Sequence, residues 1–307
     1  MPHIFGPVPS RRLGMSLGVD LIPYKTCTYD CLYCQVGKTT LKTIDPDCFF
    51  PVKDVIEELE KKIENNTPDT ITLAGSGEPT LHSKIDEVIA SIKKITDIRI
   101  AVLTNGSCFW KDEVRERVLG ADMILPTLCT ANEKTFCMIH RPHAYINNAL
   151  VIDGLKKLRH DFKKDIFLEV VLLSGINDTE EELKKLKKII EYISPDRIQL
   201  NTVVRPPADS RALPVERVKM EEVRKFFGKK TEIVAEGRGK PSADRKDGLE
   251  EKIMDMVKRR PLRSADISRA LGLSLPEIEG LVKALSIKGF LLRREYSGEI
   301  YYLTNNN

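Results

Sequence analysis

The sequence predicts an α/β protein: a partial (β/α)6 TIM-like barrel over residues 1–235, a linker at 236–248, and a small winged helix–turn–helix domain over 249–307. Three observations lead there. Six short apolar runs alternate with amphipathic stretches between residues 17 and 227, the pattern of consecutive β/α units. The runs are apolar almost throughout, as strands are when helices cover a parallel sheet. After a polar stretch rich in glycine the pattern changes to three short helices and a hairpin, which marks a domain boundary.

Residues 3–14 hold two prolines, two glycines and a basic pair, and read as an ordered loop. The first strand is expected at 17–22, followed by a cysteine-bearing loop and then a helix at 52–63 with Val55, Ile56, Leu59 and Ile63 on one face. Strands follow at 70–74, 98–104, 123–128, 166–173 and 197–204, and helices at 84–95, 111–119, 133–139, 146–159, 179–192 and 214–227. Polar, functional-looking residues follow several different strands. That distribution describes the C-terminal mouth of a barrel rather than the single switch point of a doubly wound sheet. In the tail, helices are expected at 249–258, at 265–271 capped by Ser264 and stopped by Gly272, and from 275 to about 287 behind a Ser274/Glu277 capping box. Segments 290–294 and 300–303, joined through Ser297 and Gly298, complete the hairpin.

Hydrophobic residues make up 41% and charged residues 31% of the chain, and no apolar run approaches the ~20 residues of a membrane helix. The N-terminus does not resemble a secretory signal. Seven cysteines, an odd number without disulfide-framework spacing, point to a reducing, cytoplasmic setting. The net charge of +4 sits in the tail, where 14 basic residues face 10 acidic ones from Arg238 onward. Such a tail is either a solvated basic surface or a module that touches a polyanion.

Cys27, Cys31 and Cys34 form the strongest chemical signal. Thiolates favour zinc, copper(I) and iron–sulfur clusters. Zinc wants four ligands, and no second cysteine pair is present in the sequence. A [4Fe–4S] cluster takes one thiolate per iron, so three would leave one iron open to another ligand.

With Tyr33 directly before the third cysteine, this C-x3-C-x2-C loop resembles the signature of the radical S-adenosylmethionine (SAM) enzymes. The resemblance covers residues 15–235. It implies a [4Fe–4S] cluster on the three cysteines, SAM chelated to the open iron, and one-electron cleavage of SAM to methionine and a 5′-deoxyadenosyl radical. It also implies an electron donor such as ferredoxin or flavodoxin. Gly75, Gly77, Glu78 and Pro79 resemble the family's Gly-Glu-Pro turn around the SAM amino group; read alone, they could equally be an ordinary strand-to-helix connection. Thr104 and Asn105, with Gly106, resemble its Thr-Asn-Gly turn. Where relatives read Ser-Leu-Asp, this chain has Thr127, Leu128 and Cys129. Thr127 keeps a hydroxyl for the ribose, and Cys129 is a weak catalytic candidate. Asn201 falls at a position near the adenine or substrate, and Asp178 reads as a helix cap. Cys48, Cys108 and Cys137 form no second cluster motif.

The stretches F-G-P-V-P-S-R-R-L-G at 5–14 and Q-L-N-T-V-V-R-P-P at 199–207 resemble a branch grouped with wyosine-type tRNA modification enzymes. Arg11, Arg12, Arg141 and Arg205 are candidate anchors for an anionic substrate, with structural ion pairs as the alternative. Three readings stand: a radical SAM enzyme modifying tRNA or protein docked by the tail, one acting on a small metabolite with a regulatory tail, and a DNA-binding Fe–S sensor. The third expects a basic recognition helix, whereas the third tail helix opens with Glu277 and Glu279, which repel phosphate.

Overall fold

The computed structural model describes residues 3–64, 67–234 and 248–304. In chain order the elements begin with β1 (Ile4–Ser10), β2 (Gly14–Val19), β3 (Thr26–Cys27), β4 (Leu41–Lys42), α1 (Val52–Ile63), β5 (Thr70–Leu73), α2 (Ile85–Ile95), β6 (Arg99–Thr104) and α3 (Asp112–Val118). They continue with β7 (Met123–Pro126), α4 (Glu133–His140), α5 (Asn148–Asp161), β8 (Asp165–Leu172), α6 (Glu180–Ile193), β9 (Arg197–Thr202), α7 (Arg217–Phe227) and β10 (Thr231–Ile233).

Eight strands form one sheet in the order β1-β2-β5-β6-β7-β8-β9-β10, parallel except for the antiparallel β1–β2 pair. Each crossover moves to the next strand in the same direction. Right-handed connections then put every helix on one face, an arrangement consistent with a partial barrel. A doubly wound sheet needs the order to reverse, and among the described residues it does not. Side chains alternate across the sheet. Ile100 and Val102 join the core beneath the helices, with Leu17, Ile71 and Leu73 against Val55, Val88 and Leu155. Ala101, Leu103 and Leu125 fill the other face with Leu13, Met123 and Phe167.

The sheet differs from expectation at both of its edges. Residues 4–10 are a strand, not a loop. As the outermost strand β1 tolerates Pro7 and Pro9, and a bulge between Phe5 and Val8 absorbs the irregular pair. The three-residue β10 was missed because so short a run shows no periodicity. The 12 residues of α1 fall where expected.

After residue 248 come α8 (Leu249–Arg259), α9 (Ser264–Leu271), α10 (Leu275–Ile287) and the hairpin β11 (Leu292–Tyr296) with β12 (Glu299–Leu303). They enclose their own apolar cluster, including Ile253, Ile267, Ile278 and Val282. The expected linker at 236–248 lies, apart from Gly248, outside the described residues. Glu277 accepts from the Ser274 peptide N–H at 3.0 Å and hydroxyl at 2.7 Å. Ser264, expected as a cap, is instead the first residue of α9 behind Arg263; the carboxylate of Asp266 takes up the Arg263 peptide N–H. The three-helix unit packs on β1, and the Tyr301 hydroxyl donates to the Val204 carbonyl at 2.9 Å. No helix among the described residues is long and apolar enough to cross a membrane.

Candidate active site

Cys27, Cys31 and Cys34 line one cavity of about 380 Å³ by the C-terminal ends of the parallel strands. Their loop is held from both sides. The Asp30 and Leu32 peptide N–H groups donate to the carbonyls of His140 and Ile139 at the end of α4, both at 2.9 Å. The Cys34 N–H donates to the Cys31 carbonyl at 3.2 Å, which closes a tight turn between those two cysteines.

Each sulfur faces a nitrogen from outside the cysteine motif. Lys25 Nζ donates to Cys34 Sγ at 3.2 Å, His140 Nδ1 lies 3.3 Å from Cys31 Sγ, and Asn105 Nδ2 donates to Cys27 Sγ at 3.5 Å. Burial lowers the His140 pKa to about 3, so its imidazole is neutral at physiological pH. Burial, then the nearby Glu78, pushes the Cys27 thiol up to about 12. Cys31 is also raised well above the usual range, by burial and then by Cys27 and Cys34. Such thiols stay protonated near neutrality unless a bound cation displaces the proton.

The turn at 75–78 lies directly against this loop. A Cβ at Gly77 would meet the Thr26 carbonyl oxygen at 1.9 Å, and one at Gly75 (φ +153°) would meet Asp20 Cγ at 2.3 Å. Asp20 holds the turn by accepting from the Ser76 N–H, 3.1 Å from each oxygen, and from its hydroxyl at 2.6 Å. Burial raises the Asp20 pKa, with Ser76 opposing. Arg259 of α8 reaches the same carboxylate at 3.8 Å.

Glu78, 2% exposed, ties two strand ends together. It accepts from the Thr80 N–H and hydroxyl (3.1 and 2.6 Å), the Thr104 hydroxyl (2.6 Å) and the Asn105 N–H (2.7 Å). A carboxylate has about four acceptor positions. Glu78 therefore braces the 75–80 and 104–106 turns, and only its Oε2 retains acceptor capacity. Pro79 opens the short helical turn behind it and is buried. Gly75, Gly77, Glu78, Thr104 and Asn105 all line the cavity.

On the far strands the central group is Glu169, a residue the sequence reading missed. Arg12 lies 2.9 Å from it, while the Thr127 hydroxyl (3.1 Å) and Asn201 Nδ2 (3.0 Å) donate to it. Burial opposes its charge, but Arg12 and Asn201 hold its pKa below the usual value. Its signal was a lone carboxylate in the apolar run of β8. Thr127, Asn201, Arg11, Arg12 and Arg205 join the same cavity wall. Arg11 donates to Asn201 Oδ1 at 3.1 Å, and Arg205 to Gln35 Oε1 at 3.4 Å.

Other candidates fall elsewhere. Arg141 is absent from the cavity lining; it pairs with Asp30 and Asp209, bracing the cysteine loop. Cys129 is fully buried in an apolar cluster with Leu32, Ile139 and Val171. Asp178 accepts from the Gly175 N–H at 2.8 Å, closing a turn, while Thr179 caps α6. Lys25 and His140 were also missed, because nothing in spacing marks a contact made 109 residues apart in the case of His140.

A thiol triad at the mouth of a sequentially ordered parallel sheet is one arrangement shared by a large enzyme superfamily, and the comparisons agree. The Radical SAM superfamily profile matches residues 21–187, more than half of the chain, and the protein belongs to that superfamily. Within it the chain is 32% identical to the UPF0026 protein of Methanocaldococcus jannaschii over 99% of its own length and 97% of that protein's. It is also 37% identical, over 99% of its length, to a Brachyspira hyodysenteriae protein called GTPase Obg, of which it spans only 45%. In fold it resembles a radical SAM methyltransferase from Sphaerobacter thermophilus (TM-score 0.53, 14% identity, 71% of this chain and 65% of that one). It also resembles TYW1 with a lysine–pyruvate adduct bound (TM-score 0.52, 15% identity, 73% and 75%).

Proposed function

We propose that Cys27, Cys31 and Cys34 hold a [4Fe–4S] cluster and that the adjoining cavity takes SAM. The observation that supports this most is three thiols on one cavity wall, each facing a nitrogen, beside a turn where only glycine fits. The donor set suits the cluster. Three thiolates fall short of a structural zinc site, and among the described residues no three His, Cys, Asp or Glu side chains gather as they would around a single ion. Cluster thiolates each bind a different iron and need not converge so closely. Bound there, the cluster would leave one iron open and supply the electron that divides SAM into methionine and a 5′-deoxyadenosyl radical, with ferredoxin or flavodoxin as the source of that electron.

The chain's own residues do the rest. Lys25 hydrogen-bonds the Cys34 sulfur and offsets its charge, while the neutral His140 and Asn105 offer hydrogen bonds to the Cys31 and Cys27 sulfurs. Gly75 and Gly77 let backbone approach the ligand, while Glu78 and Pro79 fix that turn against Thr104 and Asn105. Thr127 and Asn201 present polar groups held by Glu169.

As substrate we favour tRNA or protein, in the branch grouped with wyosine-type tRNA modification. The motifs at 5–14 and 199–207 support this. So does 26% identity, over 57% of this chain, to a protein of Buchnera aphidicola named dual-specificity RNA methyltransferase. Residues 1–235 form the catalytic domain on this reading and 249–307 a winged helix that presents the substrate. A second reading, a small metabolite with that module covering the mouth, draws on Arg259 and Arg260 lining the same cavity as the cysteines.

The test is the electron paramagnetic resonance spectrum of the anaerobically reconstituted, reduced protein. SAM is expected to shift the cluster signal, as a ligand to an open iron does; a signal indifferent to SAM would count against the assignment. Comparing modified nucleosides and peptides from cells with and without the gene separates RNA from protein as the target.

A further inference from the structure

Resting on the assignment of the cluster to Cys27, Cys31 and Cys34, we propose that the outer side of the cysteine loop docks an acidic electron-carrier protein. The three cysteines line the cavity, whereas Lys38, Leu41, Lys42, Tyr145 and Arg211 do not, although the segments that carry them lie on the same loop. The loop therefore turns one side to the cavity and another to this surface.

Backbone hydrogen bonds from three remote segments hold the surface in place. In segment 36–43 the Leu41 and Thr43 N–H groups donate to the Lys25 and Cys27 carbonyls at 3.2 and 3.1 Å, and Lys42 is the partner of Cys27 in the β3–β4 pair. In segment 141–145 the His143 N–H donates to the Thr28 carbonyl at 2.9 Å. In segment 208–211 the Ala208 and Asp209 N–H groups donate to the Cys34 and Leu32 carbonyls at 2.9 and 3.1 Å. The cover over Cys27 and Cys34 is thus a single layer of chain. Electron transfer weakens steeply with distance, so a carrier has to dock where the cover is thin.

The charge of this layer selects the partner. Arg211 forks onto Asp209 with two 2.9 Å bonds; Arg141 shares that carboxylate and also meets Asp30, so these four groups balance. Asp45, at the end of the first segment, is matched by Lys111, whose Nζ donates to the Ile44 carbonyl at 2.9 Å. Lys38 and Lys42 are left as the excess. Both are exposed, and Lys42 Nζ donates to the neutral Arg141 carbonyl at 2.8 Å. Between these cations stand the exposed Leu41 (52%) and Tyr145 (74%), an apolar and an aromatic contact of the kind that interfaces use. A cationic face steers an acidic protein toward it. A substrate such as RNA has to reach into the cavity, which these residues do not line; an electron carrier needs only the outer side. One electron leaves the reduced carrier, which is oxidised by one, and arrives at the cluster, which is reduced by one; no bond or proton moves.

The probes are an acidic flavodoxin and an acidic ferredoxin. Calorimetry measures binding of each, oxidised, to the reconstituted protein, and stopped-flow absorbance measures oxidation of each, reduced. At least one carrier is expected to bind, more weakly as salt is raised. Lys38→Glu combined with Lys42→Glu is expected to weaken binding and slow electron transfer about tenfold or more. Lys38→Arg with Lys42→Arg, which keeps the charge, should behave as wild type, as should the exposed Lys229→Glu before β10, at the other end of the strands. Circular dichroism checks that each variant folds, and all are expected to cleave SAM as wild type does when excess dithionite replaces the carrier. Neither carrier binding, or the glutamate variant binding and reacting as wild type, overturns the proposal. Loss of dithionite-driven cleavage in that variant shows that the lysines support the loop and also overturns it. An RNA stem-loop that binds this face when neither carrier does assigns the face to RNA. Failure of wild type to cleave SAM with dithionite counts against the cluster reading itself, while the calorimetry still decides the docking.

Discussion

Gly77→Ala tests whether the 75–78 turn is built by close packing against the cysteine loop. The added Cβ would lie 1.9 Å from the Thr26 carbonyl oxygen, 2.6 Å from Ile22 Cγ2 and 3.0 Å from the Thr26 carbonyl carbon. The nearest obstacle is backbone, so no side chain can swing away. To regain even a tight 3.0 Å the turn and β3 must part by about 1.1 Å. That shift strains the Glu78 N–H to Thr26 carbonyl bond, now 3.2 Å, and pulls on the bonds from Glu78 to Thr104 and Asn105. Overpacking costs about 1–3 kcal/mol, and the weakened hydrogen bond about 1 kcal/mol more. At roughly 2–4 °C per kcal/mol, the melting temperature is expected to fall by roughly 5–15 °C. Formation of 5′-deoxyadenosine is expected to drop by about 10²-fold, the scale of a 1 Å misplacement. Gly280→Ala is the control: it lies in α10 with nothing within 4 Å of its Cβ, and alanine there is expected to stabilise by about 0.5–1 kcal/mol. A Gly77→Ala protein that melts and turns over like wild type would refute the packing argument.

Three further outcomes follow from other contacts. Glu169→Gln leaves Arg12 without its carboxylate and is expected to cost about 3 kcal/mol near neutral pH. Because the folded pKa of Glu169 is depressed, its contribution is present above the unfolded value and lost as pH falls through the folded one; denaturant titrations of wild type and variant should therefore converge in acid. Lys25→Met removes the cation beside Cys34 and is expected to lower the cluster's reduction potential, read by a spectroscopic redox titration; an unchanged potential would separate Lys25 from the cluster. Arg259→Ala frees Asp20 from the C-terminal unit and should weaken SAM binding through the Ser76 turn, measured by calorimetry, whereas equal affinity would show that Asp20 positions the turn unaided.

Much of this arrangement was legible in the sequence. The strands were readable because they are apolar on both faces, the cysteines because of their spacing, and the 75–79 and 104–105 turns because each follows such a strand. The first hairpin was not, since Pro7 and Pro9 argue against a strand unless it is known to be an edge. Nor were Lys25, His140 and Glu169 readable as site residues. His140 and Glu169 take their roles from contacts between segments distant in sequence, and Lys25 from a contact nine residues along its own loop; no spacing rule reports either kind. Arg141 shows the converse: it looked like a substrate anchor, but Asp30 and Asp209 occupy it. Arg259 and Arg260 line the cavity, although no motif in the tail marks them for it.

The most direct test of the central claim is 5′-deoxyadenosine formation from SAM by the anaerobically reconstituted, reduced protein, wild type against Cys31→Ala. The product is expected with wild type and absent from the variant. No product from wild type, or equal product from both, would contradict the account.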